Sequence, residues 1–156
     1  MAEPRFGLGV DIHPADSSRP LFLGGVRFEG EPGLAGHSDG DVVCHAIADA
    51  LLGASSLGDI GEHFPDSDPA LAGIGGLDLL GQTLRLVTAA GGRPASCDVT
   101  VLADRPAVAP RREEMRVVLA EALGLDPGAV SVKATRPEGL GLTGDGAACF
   151  ALAVLR

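Results

Sequence analysis

The stretch at residues 5–13, RFGLGVDIH, alternates strictly between large apolar residues and other residues, and this pattern predicts a β-strand. Because successive side chains of a strand point to opposite faces, one face carries Phe6, Leu8, Val10 and Ile12. The opposite face carries Arg5, Gly7, Gly9, Asp11 and His13. An acid and an imidazole therefore share a face near the end of the strand. The pattern fits either an edge strand whose polar residues face water or part of a metal site.

The rest of the chain is predicted to combine short strands with amphipathic helices. In order, these are a hairpin at 20–30 around Gly24-Gly25, helices at about 39–54 and 74–90, a strand at 97–103, a helix at about 110–123, and strands at 130–135 and 147–155. The simplest packing is a two-layer α+β fold, with one mixed sheet and the helices on one face. The uncovered face, expected to consist of Ala, Val, Leu and Cys, needs a partner, which predicts a homo-oligomer. A length of 156 residues fits a single domain over residues 1–156.

Composition excludes several classes of function. The formal net charge of −9 argues against non-specific nucleic-acid binding, which needs a basic surface. No apolar run is long enough to span a membrane, and no signal or transit peptide is expected. Three cysteines, Cys44, Cys97 and Cys149, lie in apolar surroundings. Their odd number predicts reduced core thiols in a cytoplasmic protein.

His45 lies within the predicted helix 39–54 and has an acid one helical turn away on each side. Asp41 and Asp49 share its face and are expected to orient its ring, as carboxylates do around metal-binding imidazoles. Together with Asp11 and His13, His45 completes a three-ligand set of the kind that binds zinc with an open fourth position. The alternative is a structural role, since single helical histidines and D-x-H pairs also occur without a metal.

Several other polar residues are candidates for a functional site. His37 precedes the helix N-terminus, where it can act as a general acid or base, donate to an anion, or simply face solvent. The acidic segment 58–69 is either a solvated loop or a place where Asp59 and nearby amides contact hydroxyl groups or a metal. His63 in this segment has no evident partner. Glu138, in the last Gly-rich loop, is an oxygen donor suited to Mg²⁺.

Four segments taken together resemble a known enzyme family: DIH at 11–13, HSDGDVVCHAIADALLGA at 37–54, LGDIGEHFPDSDP at 57–69 and VKAT at 132–135. Their order and spacing are similar to those of the 2-C-methyl-D-erythritol 2,4-cyclodiphosphate synthases, and the resemblance covers nearly the whole chain. It implies a homotrimer, with the sheets packed around a threefold axis and active sites between subunits. It also implies that Asp11, His13 and His45 bind one Zn²⁺ per subunit and that Glu138 binds a second divalent ion, Mg²⁺ or Mn²⁺.

The same resemblance implies contacts with the substrate. His37 and Ser38 are expected at its diphosphate and erythritol end, and His37, Thr135 and Arg136 occupy the positions expected to be catalytic. The residues expected to shape the erythritol pocket are Asp59, Ile60, Gly61, Phe64, Pro65, Asp66, Ser67 and Asp68. Those expected to cradle the cytidine and its phosphates are Ala103, Pro106, Ala107, Val108, Ala109 and Thr135.

The reaction implied by the resemblance belongs to the non-mevalonate isoprenoid pathway. It converts 4-diphosphocytidyl-2-C-methyl-D-erythritol 2-phosphate to the 2,4-cyclodiphosphate and releases CMP. The 2-phosphate attacks the β-phosphorus, so the protein mainly has to orient two anions and offset their charge. Two alternatives are a zinc-binding homotrimer with lost or altered activity and a metal-dependent nucleotide diphosphate hydrolase.

The chain departs from the family pattern near its C-terminus. Arg136 stands where the family has a threonine credited with stabilising the transition state, and Pro137 follows it. The other departures, each at a position with a different usual residue, are Ala107, Leu142 and Asp145. Asp145 replaces an arginine beside the central cavity of the trimer, which predicts that prenyl diphosphates do not bind there.

Overall fold

A computed structural model describes residues 3–141 and 144–156. The predicted strands and helices occur in the predicted order, and the structure adds short strands at 15–16 and 33–34 and a short helix at 60–63. The strands are β1 (Arg5–His13), β2 (Ala15–Asp16), β3 (Leu21–Leu23), β4 (Val26–Phe28), β5 (Gly33–Leu34), β6 (Pro94–Ala103), β7 (Val130–Thr135) and β8 (Ala147–Leu155). The helices are α1 (Val42–Ala54), α2 (Ile60–His63), α3 (Gly76–Ala89) and α4 (Arg112–Leu123). Short 3-10 turns lie at Pro69–Leu71, Ala109–Arg111 and Pro127–Ala129. The departure at Leu142 lies outside the described residues.

Four strands form one mixed sheet in the order β1-β8-β6-β7. β6 and β7 are parallel, whereas β8 is antiparallel to both β1 and β6. Helix α1 packs across β1 and β8, with α3 beside it and α4 against β7. The predicted hairpin is β3–β4, and Gly24 and Gly25 at its turn have φ values of 61° and 75°, as a two-residue turn between strands requires. The prediction of a two-layer α+β fold is confirmed.

Two glycines allow α1 to lie directly on β1. A Cβ at Gly7 would overlap the carbonyl oxygen of Ala50, and a Cβ at Gly9 would overlap that of Ala46. With no side chain between them, the backbones of helix and strand are in contact. Asp11 and His13, further along the same face of β1, consequently reach the N-terminal half of α1.

We expect Gly9→Ala to lower the free energy of unfolding by about 1–3 kcal/mol, because the new methyl group would overlap the α1 backbone. Gly53→Ala is the matched control, since Gly53 lies exposed within α1 and an added Cβ there would meet nothing within 4 Å. Alanine is the better helix former, so the control is expected to gain about 0.5–1 kcal/mol. Urea denaturation at one protein concentration measures both. Effects of the same sign would contradict the close contact between helix and strand.

The open face of the sheet is apolar along β1 and β8, but only part of the predicted set of Ala, Val, Leu and Cys residues lies on it. Six large side chains there are 42–66% exposed: Phe6, Leu8, Val10, Ile12, Phe150 and Leu152. The prediction that the alanines and cysteines lie on this face is wrong, because Cys149, Ala151 and Ala153 of β8 are buried on the helix side. Small residues are needed there because α1 lies so close to the sheet. The β6–β7 part of the open face is polar and carries an ion pair of 2.6 Å between Lys133 and Asp98.

Two local predictions are corrected. Helix α1 begins at Val42, later than predicted, because Asp41 and not Ser38 is its N-cap. The acidic segment 58–69 is not entirely loop, since it contains α2, which is N-capped by Asp59. Within the described residues, no helix is long and apolar enough to cross a membrane.

Candidate metal centre and active site

The end of β1 and the first turn of α1 bring three side chains that can bind a metal together, those of Asp11, His13 and His45. Oδ2 of Asp11 lies 3.0 Å from Nε2 of His13 and 3.1 Å from Nδ1 of His45. His45 is buried, while Asp11 and His13 are half-buried. Alternation on β1 predicted that Asp11 and His13 share a face, and the structure confirms it. That face meets the helix residue which the sequence grouped with them.

The three residues fit a single metal ion. One donor atom from each residue lies within 4.8 Å of the others. Ligand bonds of about 2.0–2.2 Å in a tetrahedral site place donor atoms roughly 3.3–3.5 Å apart, close to the two separations at Asp11. Two imidazoles and one carboxylate are also a donor set that zinc accepts. A tetrahedral ion held by these three residues would leave a fourth position for a ligand from the cavity.

Charge is concentrated at this centre. Burial by itself raises the pKa of Asp11, but hydrogen bonds from His13 and His45 and the charges of these rings outweigh burial, so the pKa is lowered to about 2. Burial by itself lowers the pKa of His45, yet the hydrogen bond to Asp11 and the nearby carboxylates raise it overall. Asp11 is therefore ionised, as a carboxylate must be to bind a cation, and His45 has to lose any ring proton before it can do so.

The sequence predicted that Asp41 and Asp49 orient the ring of His45, but Asp11 and Ser38 do so. Its Nδ1 faces Asp11, and its Nε2 lies 3.0 Å from Oγ of Ser38. Asp49 instead accepts a hydrogen bond of 2.8 Å from the backbone N–H of Ile60. The prediction that Asp49 orients the ring is therefore wrong, since the carboxylate holds the start of α2.

The carboxylate of Asp41 also does not hydrogen-bond the ring of His45. The carboxylate is fully buried and accepts four backbone N–H bonds, from Gly24 at 2.9 Å, Gly25 at 2.7 Å, and Val43 and Cys44 at 3.1 Å each. The spacing of four residues places two side chains on one helix face, but it does not decide which partner a carboxylate takes. Here the free amides at the helix N-terminus and at the hairpin turn take it. Asp41 thus joins the β3–β4 hairpin to α1.

A cavity of about 260 Å³ opens in front of the metal-binding residues. Its remaining wall consists of Gly36, His37, Ser38, Ile60, Gly61, Phe64, Asp66, Leu71, Ile74 and Leu79. His37 is held with its Nε2 3.3 Å from the carbonyl oxygen of Asp68. The sequence therefore identified most of the polar wall. It missed Gly36, which comes directly before His37, and Leu71, Ile74 and Leu79, which give no signal beyond being apolar.

Four residues predicted for the erythritol pocket do not line this cavity: Asp59, Pro65, Ser67 and Asp68. Asp59 accepts a hydrogen bond of 3.0 Å from the N–H of Glu62, and Asp68 accepts one of 2.9 Å from the N–H of Ala70. Both acids cap short helical turns. They shape the segment that closes the cavity.

The residues predicted to bind the cytidine and its phosphates lie at the ends of β6 and β7, outside the cavity, with the predicted catalytic Arg136 and the predicted metal ligand Glu138; together they are called the second group. Its members are Ala103, Pro106, Ala107, Val108, Ala109, Thr135, Arg136 and Glu138, and none of them lines the cavity. Leu102 of β6 pairs with Thr135 of β7, so the two loops leave the sheet side by side. Thr135, Arg136 and Glu138 are exposed. β1 and β7 are the outer strands of the sheet, three strand spacings or roughly 14 Å apart, so Thr135 at the end of β7 lies well away from Asp11 and His13 of the same chain.

A comparison with known protein families matches nearly the whole chain, including the residues of the metal centre. The sequence model of the YgbB family matches residues 4–156. The chain belongs to the YgbB family.

Relatives of this YgbB chain include proteins named after the enzyme family that its motifs resemble. It is 48% identical over 151 residues to a 2-C-methyl-D-erythritol 2,4-cyclodiphosphate synthase of Symbiobacterium thermophilum, covering 96% of each chain. It is 55% identical over 151 residues to a "Bifunctional enzyme IspD/IspF" of an Anaeromyxobacter species; that match covers 96% of this chain but only 39% of the relative's length. A solved 2C-methyl-D-erythritol-2,4-cyclodiphosphate synthase in its CDP-bound form is 34% identical, with a TM-score of 0.90 over 97% of this chain and 100% of that one.

Proposed function

We propose that this chain is a phosphorus–oxygen lyase that converts 4-diphosphocytidyl-2-C-methyl-D-erythritol 2-phosphate to 2-C-methyl-D-erythritol 2,4-cyclodiphosphate and CMP. The observation that carries the proposal is the set of Asp11, His13 and His45, gathered at the wall of the cavity. An oxygen of the 2-phosphate bonds to the β-phosphorus, and the bond from that phosphorus to the oxygen bridging the α-phosphate breaks. The bridging oxygen leaves with CMP, and no water is consumed.

Two cations complete the proposed site. Asp11, His13 and His45 hold Zn²⁺, for which two imidazoles and a carboxylate are suitable donors. Glu138 holds Mg²⁺ or Mn²⁺, since a single exposed carboxylate suits a hard cation that also binds phosphate oxygens. When bound, these ions offset phosphate charge and polarise the phosphorus–oxygen bonds. A chain with a net charge of −9 needs that compensation to bind an anionic substrate.

The chain's own residues then bind and align the substrate. His37 and Ser38 contact its diphosphate and erythritol end from the cavity wall, where Ile60, Gly61, Phe64 and Asp66 enclose the erythritol. The loop at 103–109 cradles the cytidine, and Thr135 and Arg136 bind at the leaving phosphate. Arg136 is exposed at the end of β7 and supplies a positive charge there. Holding the two reacting groups in line contributes on the order of 7–11 kcal/mol at best.

The proposed working form is a homotrimer with active sites between subunits. The apolar half of the sheet's open face, with six large exposed side chains, supports burial against other copies of the chain. The distance of roughly 14 Å between β1 and β7 within one chain supports the contribution of the second group of residues by a neighbouring subunit.

Leu8→Asp is expected to break the trimer into single chains, because Leu8 is 66% exposed on the apolar face and a buried carboxylate would have no partner. Turnover is expected to fall at least tenfold, since the site then lacks its second half. Val117→Asp is the matched control: Val117 is 52% exposed, but on α4 rather than on the sheet face. Sedimentation equilibrium measures the mass of each variant. A trimeric, active Leu8→Asp variant would contradict this assembly.

Incubating the purified protein with the cytidine substrate and Mg²⁺ tests the proposed reaction. Equal amounts of CMP and cyclic diphosphate, resolved by phosphorus NMR, support the synthase. Unchanged substrate supports instead a zinc-binding trimer without activity, an alternative favoured only by the replaced residues Arg136, Pro137 and Ala107. CMP with a linear bisphosphate supports the hydrolase.

Two coarser features belong to the same proposal. Residues 1–156 form one domain, which is supported by the continuous hydrophobic core shared by the sheet and helices. The protein works in the cytoplasm, and the three buried cysteines, none of them in a disulfide, support a reducing compartment.

A further inference from the structure

The side chain of Arg19 hydrogen-bonds the backbone of the segment that carries His37 and Ser38. The guanidinium donates Nη1 to the carbonyl oxygen of Gly36 at 2.8 Å and Nη2 to the carbonyl oxygen of Ser38. These two carbonyls flank His37. A planar guanidinium can span two acceptors in this way, and so it fixes the Gly36–His37 peptide before the histidine and the Ser38–Asp39 peptide after Ser38.

Arg19 is itself fixed in place. Its backbone N–H donates to the carbonyl oxygen of Asp16 at 3.2 Å, and its carbonyl oxygen accepts from the N–H of Gly33 at 3.0 Å. Asp16 and Gly33 are paired in the β2–β5 ladder. The carboxylate of Asp16 also holds Ser18, through the backbone N–H at 3.0 Å and the hydroxyl at 2.6 Å. Arg19 thus joins the β2–β5 ladder, through its backbone, to the segment at 36–38, through its side chain.

That segment touches both histidines of the metal centre. A Cβ added at Gly36 would lie 3.1 Å from the His13 ring, so Gly36 already packs closely beside that ring. Oγ of Ser38 lies 3.0 Å from Nε2 of His45. A displacement of Gly36 and Ser38 would therefore change the packing of one ring and the hydrogen bond of the other.

We propose that Arg19 is a positioning residue, which sets both the metal affinity of the Asp11–His13–His45 centre and the alignment of His37 and Ser38 through its two backbone carbonyl contacts. The part concerning alignment rests on the proposed function. The part concerning metal affinity does not, because it needs only the metal centre.

Arg19→Gln and Arg19→Lys test this with Zn²⁺ as the probe. Competition with a chromophoric chelator is expected to show zinc affinity falling on the order of 10- to 100-fold in Arg19→Gln. Arg19→Lys is expected to retain part of it, since an ammonium reaches one carbonyl but does not span two. In each variant, the turnover number is expected to fall by about the same factor as that variant's zinc affinity, and KM is expected to change less. The Co²⁺-loaded variants are expected to show an altered visible absorption spectrum.

Arg116→Gln is the matched control. Arg116 also donates to two backbone carbonyls, those of Val130 at 2.9 Å and Pro127 at 2.8 Å, at the opposite edge of the sheet. The Arg116→Gln variant is expected to be less stable than the unchanged protein but to keep its zinc affinity and its turnover number. Unchanged zinc affinity in both Arg19 variants would overturn the proposal, as would an equal loss in Arg116→Gln. If the proposed reaction is not observed, zinc affinity and the Co²⁺ spectrum still decide the role of Arg19.

Discussion

His45→Ala is expected to abolish stoichiometric zinc binding and to reduce turnover by on the order of 10³-fold or more. The substitution removes one of three donors and leaves Asp11 with a single imidazole partner. It also removes the partner of Ser38 on the cavity wall. Elemental analysis after dialysis against a metal-free buffer measures the zinc, and the CMP-release assay measures turnover.

His63→Ala is the matched control for this experiment. His63 lies in the neighbouring helix α2, and its Nε2 is 2.7 Å from the carbonyl oxygen of Leu57, but it does not line the cavity. We expect it to keep one zinc per chain. A His45→Ala protein that also retained one zinc per chain would disprove the ligand set.

Asp41→Ala is expected to cost at least about 3 kcal/mol of the free energy of unfolding. The carboxylate is fully buried and accepts four backbone N–H bonds, two in the β3–β4 turn and two in α1. Hydrogen bonds to a charged group contribute about 1.5–3 kcal/mol each, and an unpaired buried donor costs about 1–3 kcal/mol. Urea denaturation at fixed protein concentration measures the loss.

Asp126→Ala provides the comparison for Asp41. Asp126 also caps a helical turn, but it is exposed at the surface and accepts one hydrogen bond, of 2.7 Å, from the N–H of Gly128. Asp126→Ala is expected to lower the free energy of unfolding by about 1 kcal/mol. If the two variants were equally stable, the buried carboxylate would not be what joins the hairpin to α1.

Alternation and helical periodicity predicted the features of this fold that depend on neighbouring residues. The face shared by Asp11 and His13 follows directly from the pleat of a strand. The Gly24-Gly25 hairpin follows from the backbone conformation that only glycine adopts readily. Grouping His45 with Asp11 and His13 needed one further step, because strand and helix meet only in the folded chain.

Features that depend on distant partners could not be predicted. Spacing placed Asp41 and Asp49 near His45, but hydrogen bonds with backbone amides of other segments decide their roles. Gly7 and Gly9 alternate in the strand like any small residue, and nothing in the pattern shows that a helix backbone lies on them. Arg19 lies in no periodic segment, and its partners are 17 and 19 residues away along the chain.

The origin of the oxygen atoms in the product tests the proposed function most directly. The purified protein, loaded with Zn²⁺ and Mg²⁺, is incubated with the cytidine substrate in water enriched in ¹⁸O, and the products are examined by mass spectrometry. If the 2-phosphate attacks the β-phosphorus, CMP and the cyclodiphosphate form in equal amounts and neither carries ¹⁸O. A linear bisphosphate that carries one ¹⁸O atom, or an unchanged substrate, would contradict the account.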